Sequence, residues 1–294
     1  MDDAQKRELD RWSLLDWNDR DDAYDLSYTS SAHFGVIGAC GRSGTTLLRT
    51  MLGVHSDIFA GSETSVFLPG HLDLANLANR VRIESMILER MSLSAPRAQF
   101  IDQLRETITT SAGKPLWIDK TSRNIHCFAY VRRHFPNACL IHVLRDPRDV
   151  VLSLRSHPVL QRTGQERKPT GWIQPWNDCL GRWERSIQDG FSMRGDPLYL
   201  EVAYEDLVFD RANSLKRICA FLSVDFQPEM LEHHRHLKPG DVDPAYIPNN
   251  SRAVCAVDPS RVGRWRVDLP RDVVKLISEQ LGTLASQAGY DLGD

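Results

Sequence analysis

The run "GACGRSGTTLLRTML", Gly38 to Leu52, is where residue types and spacing first suggest chemistry in this sequence. The preceding "HFGVIGA" reads as a buried strand ending in a glycine turn. The following "TTLLRTMLG" reads as a helix with Leu47, Leu48, Met51 and Leu52 on one face. A strand, a glycine turn and a helix N-terminus aim free backbone N–H groups at one point, which suits an anion. Thr45 and Thr46 add hydroxyl donors, and Arg42 adds a guanidinium fork. The triphosphate-binding pattern G-x-x-x-x-G-K-[ST] is not met. Gly38 and Gly44 stand one residue too far apart, and Thr45 takes the place of the lysine. No carboxylate is placed to hold Mg²⁺ behind the loop. Taken alone, the loop fits two readings: an anion site, or a turn that packs a helix on a sheet.

A second motif, "LIHVLRDPRDVVLSL", puts Arg145 at the end of the strongest strand in the chain and Ser153 eight residues on. Across a strand-to-helix turn, that spacing can bring both side chains to one phosphate. Arginine offers the bidentate fork that such a group prefers. The plainer reading pairs Arg145 with Asp146 or Asp149 as an ion network.

Together the two motifs resemble those of the sulfotransferases that use 3′-phosphoadenosine 5′-phosphosulfate (PAPS). "GRSGTTLL" is similar to their 5′-phosphosulfate loop and "RDPRDVVLS" to their 3′-phosphate motif. "WIDKTSRN" and "VAYEDL" resemble two further family segments. The tyrosylprotein sulfotransferases are the nearest subfamily in pattern, here read as "RSGTTLLRTMLGVHSDIFAGSET". The resemblance implies a metal-free transfer from PAPS to a hydroxyl, releasing adenosine 3′,5′-bisphosphate (PAP). It makes Glu63 the base and Lys120 the group that stabilises the leaving nucleotide. It assigns the 5′ loop to Arg42, Ser43, Gly44, Thr45 and Thr46, and the 3′-phosphate to Arg145 and Ser153. Tyr204 falls near the nucleotide. Arg264, in "SRVGRWR", stands where the family has a nucleotide-contacting lysine, and Ser251 matches a serine upstream. The pattern departs at Ser65, where the tyrosylprotein enzymes have arginine. His55, His71 and His126 are rival bases, because other sulfotransferases use histidine. Two other readings are a P-loop kinase or nucleotide-binding regulator, and a catalytically dead nucleotide-binding module.

These side chains need a frame to hold them. The 294 residues are 41% hydrophobic and 26% charged, with a net charge of −3, an ordinary globular composition with no bulk attraction for nucleic acid. Strand and helix patterns alternate almost throughout. This predicts an α/β fold: a P-loop-like three-layer sandwich whose central, mostly parallel sheet is covered by helices on both faces. Residues 1–31 are expected to form an acidic, solvated arm or short helix, and 32–294 a single sulfotransferase domain. Residues 66–110 read as helix broken at "LSAP", 156–173 as a loop, and 237–265 as irregular. The six scattered cysteines read as buried, reduced thiols. "HHRH" at 233–236 reads as a solvated helix face rather than a metal site.

No run approaches the ~20 apolar residues of a membrane span, and the N-terminus lacks a signal pattern. A cytoplasmic location without membrane association is the expectation, and the oligomeric state stays open, a homodimer included. For the acceptor, the apolar residues Val66, Phe67, Leu68, Leu72 and Leu74 suggest a hydrophobic wall. Arg162, Arg167 and Lys168, beside Trp172 and Trp176, suggest an anionic group. A small phenol or alcohol is the first expectation, and an acidic tyrosine-containing peptide the alternative.

Overall fold

The computed structural model describes residues 28–69, 74–81, 83–84, 87, 97–157, 160–163, 166–237 and 251–293. Five parallel strands form the central sheet: β1 (Gly35–Gly38), β2 (Ile58–Phe59), β3 (Leu116–Lys120), β4 (Cys139–Leu144) and, after a hairpin, β7 (Tyr199–Ala203). Their order is β2-β3-β1-β4-β7. Every residue of β1, β3 and β4 is buried, as expected of strands covered on both faces. "VI" and "LWI" are continuous apolar runs for this reason, and "CLIHVL" is interrupted only by the buried His142, which bonds the Tyr199 hydroxyl. The chain leaves β1 for β2 and β3 on one side and reaches β4 and β7 on the other. The crevice beyond the carboxyl end of β1 is thus the switch point where α/β sheets hold ligands.

The helices are α1 (Thr45–Gly53), α2 (Leu74–Val81), α3 (Arg97–Ala112), α4 (Phe128–His134), α5 (Pro147–Arg155), α6 (Trp176–Phe191), α7 (Tyr204–Phe209), α8 (Arg211–Phe221), α9 (His233–His236), α10 (Trp265–Asp268) and α11 (Arg271–Gln287). One buried cluster joins Leu47, Leu48, Met51 and Leu52 of α1 to Ile37, Ile141 and Val143 of the sheet and to Leu215 and Ile218 of α8. Another joins Val150 and Leu154 of α5 to Trp183 of α6 and Ile277 and Leu281 of α11. Pro147 at the start of α5 and the Asp146 cap, which accepts the Arg148 N–H at 2.9 Å, fix where that helix begins.

Several sequence expectations change. Residues 66–69 form a turn rather than a helix. Ser65 has φ 61°, which L-residues outside turns avoid, and the Leu68 N–H closes on the Ser65 carbonyl at 3.1 Å. Residues 156–173 are not simply a loop. Leu160–Thr163 and Glu166–Pro169 pair as an antiparallel hairpin, β5 and β6. The region read as irregular holds two short 3₁₀ turns, Ser251–Val254 and Pro259–Arg261, and ends where α10 begins. In "HHRH", His233 is fully buried and bonds the Ala253 carbonyl at 3.0 Å. Five cysteines are buried thiols, while Cys255 is exposed. At the end of the expected arm, residues 28–31 lie on the domain. The Tyr28 hydroxyl donates to Asp102 at 2.8 Å, and the Ser30 N–H donates to the His134 carbonyl at 2.9 Å. The rest of the arm lies outside the described residues. Among the described residues, no helix is long and apolar enough to cross a membrane.

Candidate active site

The loop after β1 is built for close approach. Gly44 has φ 93°, and a Cβ there would lie 2.3 Å from Cδ2 of Tyr204. Glycine is therefore required twice, by the backbone and by the ring packed on it. Arg42 also adopts a positive φ, 76°. The turn tightens through the Ser43 N–H, which donates to the Cys40 carbonyl at 3.2 Å. Ser43 and Thr45 are buried. The Thr45 and Ser122 hydroxyls share a 3.0 Å hydrogen bond, tying the loop to the turn after β3. No acidic residue occupies the first turn of α1, so its positive end is unopposed.

The second motif folds against the first. Arg42 Nε donates to Ser153 Oγ at 3.2 Å, and Arg145 Nη1 donates to the Arg42 carbonyl at 3.0 Å. Arg42 thus links the two ends of the second motif, its side chain on Ser153 and its backbone carbonyl on Arg145. Arg145 also donates to the Arg261 carbonyl at 2.6 Å and stacks 4.3 Å above the Tyr204 ring. The ion-network reading holds in part, because Arg145 forms a salt bridge with Asp149. Asp149 stands 3.8 Å away, and Asp146 is engaged by Arg148 at 2.8 Å. Among the described residues, Arg145 Nε is buried without a hydrogen-bond partner. Burial and the neighbouring Arg145 charge both lower the Arg42 pKa. The carboxylate of Asp149 instead gathers the C-terminal basic segment, accepting from the N–H groups of Gly263 at 2.7 Å and Trp265 at 3.0 Å. That places Arg264 at the rim, where it is half-exposed and bonded to Asp268 at 2.5 Å. The backbone of Ser251 begins a 3₁₀ turn, and its side chain lies outside the described residues.

Glu63 and Lys120 meet at 2.7 Å, with the lysine buried and the glutamate side chain 26% exposed. Lys120 Nζ also donates to Thr46 Oγ1 at 3.2 Å, so the amine touches both the acidic group and the anion loop. Burial pushes the Glu63 carboxyl up, but the charge and hydrogen bond of Lys120, with Arg80 and Arg123, outweigh it and hold it below its usual value. Burial lowers the Lys120 pKa, and the Glu63 charge opposes that shift.

A brace behind this pair was not legible in the motifs. Thr64 Oγ1 donates to the buried Asp119 carboxylate, whose other oxygen accepts from Asn124 Nδ2 at 2.7 Å. The Asn124 amide also reaches the Ile37 carbonyl at 3.3 Å. The Ser65 N–H donates to Thr121 Oγ1 at 3.1 Å. The residues beside Glu63 are thus pinned by the residues beside Lys120. The only sequence signal was adjacency, Thr64 to Glu63 and Asp119 to Lys120.

Among the rival bases, His55 is buried with both nitrogens occupied. Nε2 bonds the Asp225 carbonyl at 2.7 Å, and Nδ1 accepts the Asp57 N–H at 3.0 Å. His126 is paired with Asp189 at 2.5 Å. His71 lies outside the described residues. Val66, Phe67 and Leu68 do not line a cleft. All three are core residues, with the Phe67 ring against both Phe34 and Trp117. Leu72 and the side chains of Leu74, Arg162, Arg167 and Lys168 lie outside the described residues. Among the described residues, no group of three or more His, Cys, Asp or Glu side chains could hold a metal ion.

The geometry therefore offers a backbone and arginine cradle for an anion, with a lysine–carboxylate pair at its edge. Comparison with known proteins gives this arrangement a family. The chain is 27% identical over 274 residues to protein-tyrosine sulfotransferase A of Caenorhabditis elegans, covering 91% of this chain and 70% of that protein. It is 28% identical over 273 residues to the protein-tyrosine sulfotransferase of Drosophila melanogaster, covering 90% of this chain and 53% of that one. In fold it is similar to the sulfotransferase domain of the Synechococcus PCC 7002 olefin synthase, with a TM-score of 0.66, 22% identity and coverage of 91% and 98% of the two chains. It is also similar to a mouse sulfotransferase, SULT7A1, complexed with PAP, with a TM-score of 0.53, 17% identity and coverage of 92% and 90%. The sequence matches the sulfotransferase family over residues 36–228. That stretch carries β1 and its loop, Glu63, Lys120, both ends of the Arg145–Ser153 turn and Tyr204, and with it this chain belongs to the sulfotransferase family.

Proposed function

We propose that this sulfotransferase moves the sulfuryl group of PAPS to the phenolic oxygen of a tyrosine in an acidic peptide or protein, releasing PAP. The observation that carries the chemistry is the Lys120 amine, 2.7 Å from Glu63 and 3.2 Å from Thr46 of the anion loop. One group there can receive a proton from an acceptor, and the other can meet charge developing on a departing nucleotide. In the proposed step, the acceptor oxygen forms a bond to sulfur as the bond from sulfur to the bridging phosphate oxygen breaks. The acceptor proton passes to Glu63. The electron pair of the broken bond stays on PAP, where Lys120 offsets it. Arg42, Ser43, Gly44, Thr45 and Thr46 hold the 5′ end, and Arg145 and Ser153 hold the 3′-phosphate. The buried, unpartnered Nε of Arg145 fits such a group.

Three considerations favour a peptide over the small phenol or alcohol. The relatives named above are protein-tyrosine sulfotransferases. Three residues of the apolar wall that suggested a small hydrophobic acceptor, Val66, Phe67 and Leu68, are instead core packing. Arg80 and Arg123 project positive charge onto Glu63, which suits acidic residues flanking the tyrosine. Competition at saturating PAPS tests this reading, using an acidic tyrosine peptide, the same peptide with neutral flanks, and a simple phenol. The acidic peptide should show the highest kcat/KM. Turnover of the phenol with none of either peptide would return the acceptor to the small-molecule class.

A further inference from the structure

Residues 290–292, outside the stretch matched to the family, lie against the turn that carries Arg145. The Tyr290 hydroxyl donates to Glu205 Oε2 at 2.8 Å. The other oxygen of Glu205 accepts the backbone N–H of Asp146, the residue after Arg145, at 3.1 Å. On the far side of the same turn, Arg148 grips the Asp146 carboxylate at 2.8 Å and stacks 3.8 Å over Trp265. Its guanidinium also donates to the carbonyls of Asp291 at 3.0 Å and Leu292 at 3.3 Å. Tyr290 is itself fixed by its N–H, which donates to the Ala285 carbonyl of α11 at 2.9 Å. All of these groups converge on the backbone that aims Arg145.

We infer that Tyr290 and Glu205 are positioning residues for the 3′-phosphate of the donor, acting through the Asp146 N–H on the direction of Arg145. The inference rests on Arg145 being the 3′-phosphate ligand. Without the tyrosine, Glu205 keeps only backbone N–H partners, those of Asp146 and of Glu205 itself. The turn then loses one of its ties, and part of the ordering of Arg145 must come from the ligand rather than precede it. The cost falls on ligands that carry a 3′-phosphate and spares those that lack it. A purely structural role would instead weaken every nucleotide alike.

Calorimetric titration of the whole chain with PAP and with adenosine 5′-phosphosulfate, which lacks the 3′-phosphate, reads this difference. Tyr290→Phe should weaken PAP about tenfold, the scale of one lost hydrogen bond to a charged group, and change the phosphosulfate less than twofold. Glu205→Gln should show the same selectivity and serves if the tyrosine variant is poorly soluble. Arg145→Ala is the control for the underlying reading and should lose PAP selectively by a larger factor. If Arg145→Ala is selective but Tyr290→Phe and Glu205→Gln weaken both ligands equally, or neither, the positioning role is wrong while the Arg145 assignment stands. If Arg145→Ala itself shows no selectivity, both fall.

Discussion

Glu63 and Lys120 restrain each other through one hydrogen bond. The ammonium keeps the carboxylate ionised in its buried setting, ready to take a proton, but also makes it a poorer acceptor. Drawing Lys120 toward the bridging oxygen of the donor would relax that restraint when the acceptor proton must move. Glu63→Gln and Lys120→Ala should each reduce kcat roughly a hundredfold or more, the scale of general acid–base effects. The two variants differ in pH behaviour. With Glu63 as the proposed base, activity should be present above the carboxyl pKa and lost as pH falls through it. In the wild type that acid limb lies below the ordinary carboxylate range. In Lys120→Ala, burial is no longer opposed by the amine, and the limb should move to higher pH. A kcat/KM profile that falls at the same pH in both proteins would remove Glu63 from the role of base.

At the scale of elements, the site depends on where β1, β3, β4 and β7 end. Their apolar runs were readable, and so were the glycine turn after β1 and the Pro147 start of α5. What sequence could not supply was contact between elements. Tyr204 is placed by β7, yet its ring closes over Gly44 at the head of α1. Gly44→Ala would put a methyl group into that ring and a side chain at φ 93°, a conformation costing L-residues roughly 1–2 kcal/mol before any clash. It should abolish measurable PAP binding while the fold persists, as calorimetry and circular dichroism would show. PAP affinity unchanged in this variant would mean that the donor does not use the loop. The hairpin at 160–169 was missed because "LQRT" and "ERKP" lack alternation, so the pairing of their backbones leaves no hydrophobic trace. The turn at 66–68 was missed for the opposite reason. Its apolar residues suit a helix, and only the backbone of Ser65 shows that they pack into the core as a turn.

Over the whole molecule, the two phosphate motifs lie more than a hundred residues apart in sequence, yet Arg42 and Ser153 share a hydrogen bond. The sheet order that sets β1 beside both β3 and β4 brings Lys120 and Arg145 to either side of one loop. The alternation of strand and helix made that architecture legible. The brace through Asp119 and the C-terminal tie to Glu205 were not legible, because each joins residues whose types are common in any core or turn. In the proposed reaction, the positive charge of Arg42, Lys120 and Arg145 would take the place that a metal ion fills in triphosphate chemistry, so transfer should need neither a divalent cation nor a triphosphate. The most direct test follows radiolabelled sulfur from PAPS to an acidic tyrosine peptide in the presence of EDTA, measuring PAP in the same reaction. The label should appear on the peptide, one for each PAP released, and vanish when its tyrosine is replaced by phenylalanine. PAP release without labelled peptide, or transfer that stops in EDTA, would contradict the account.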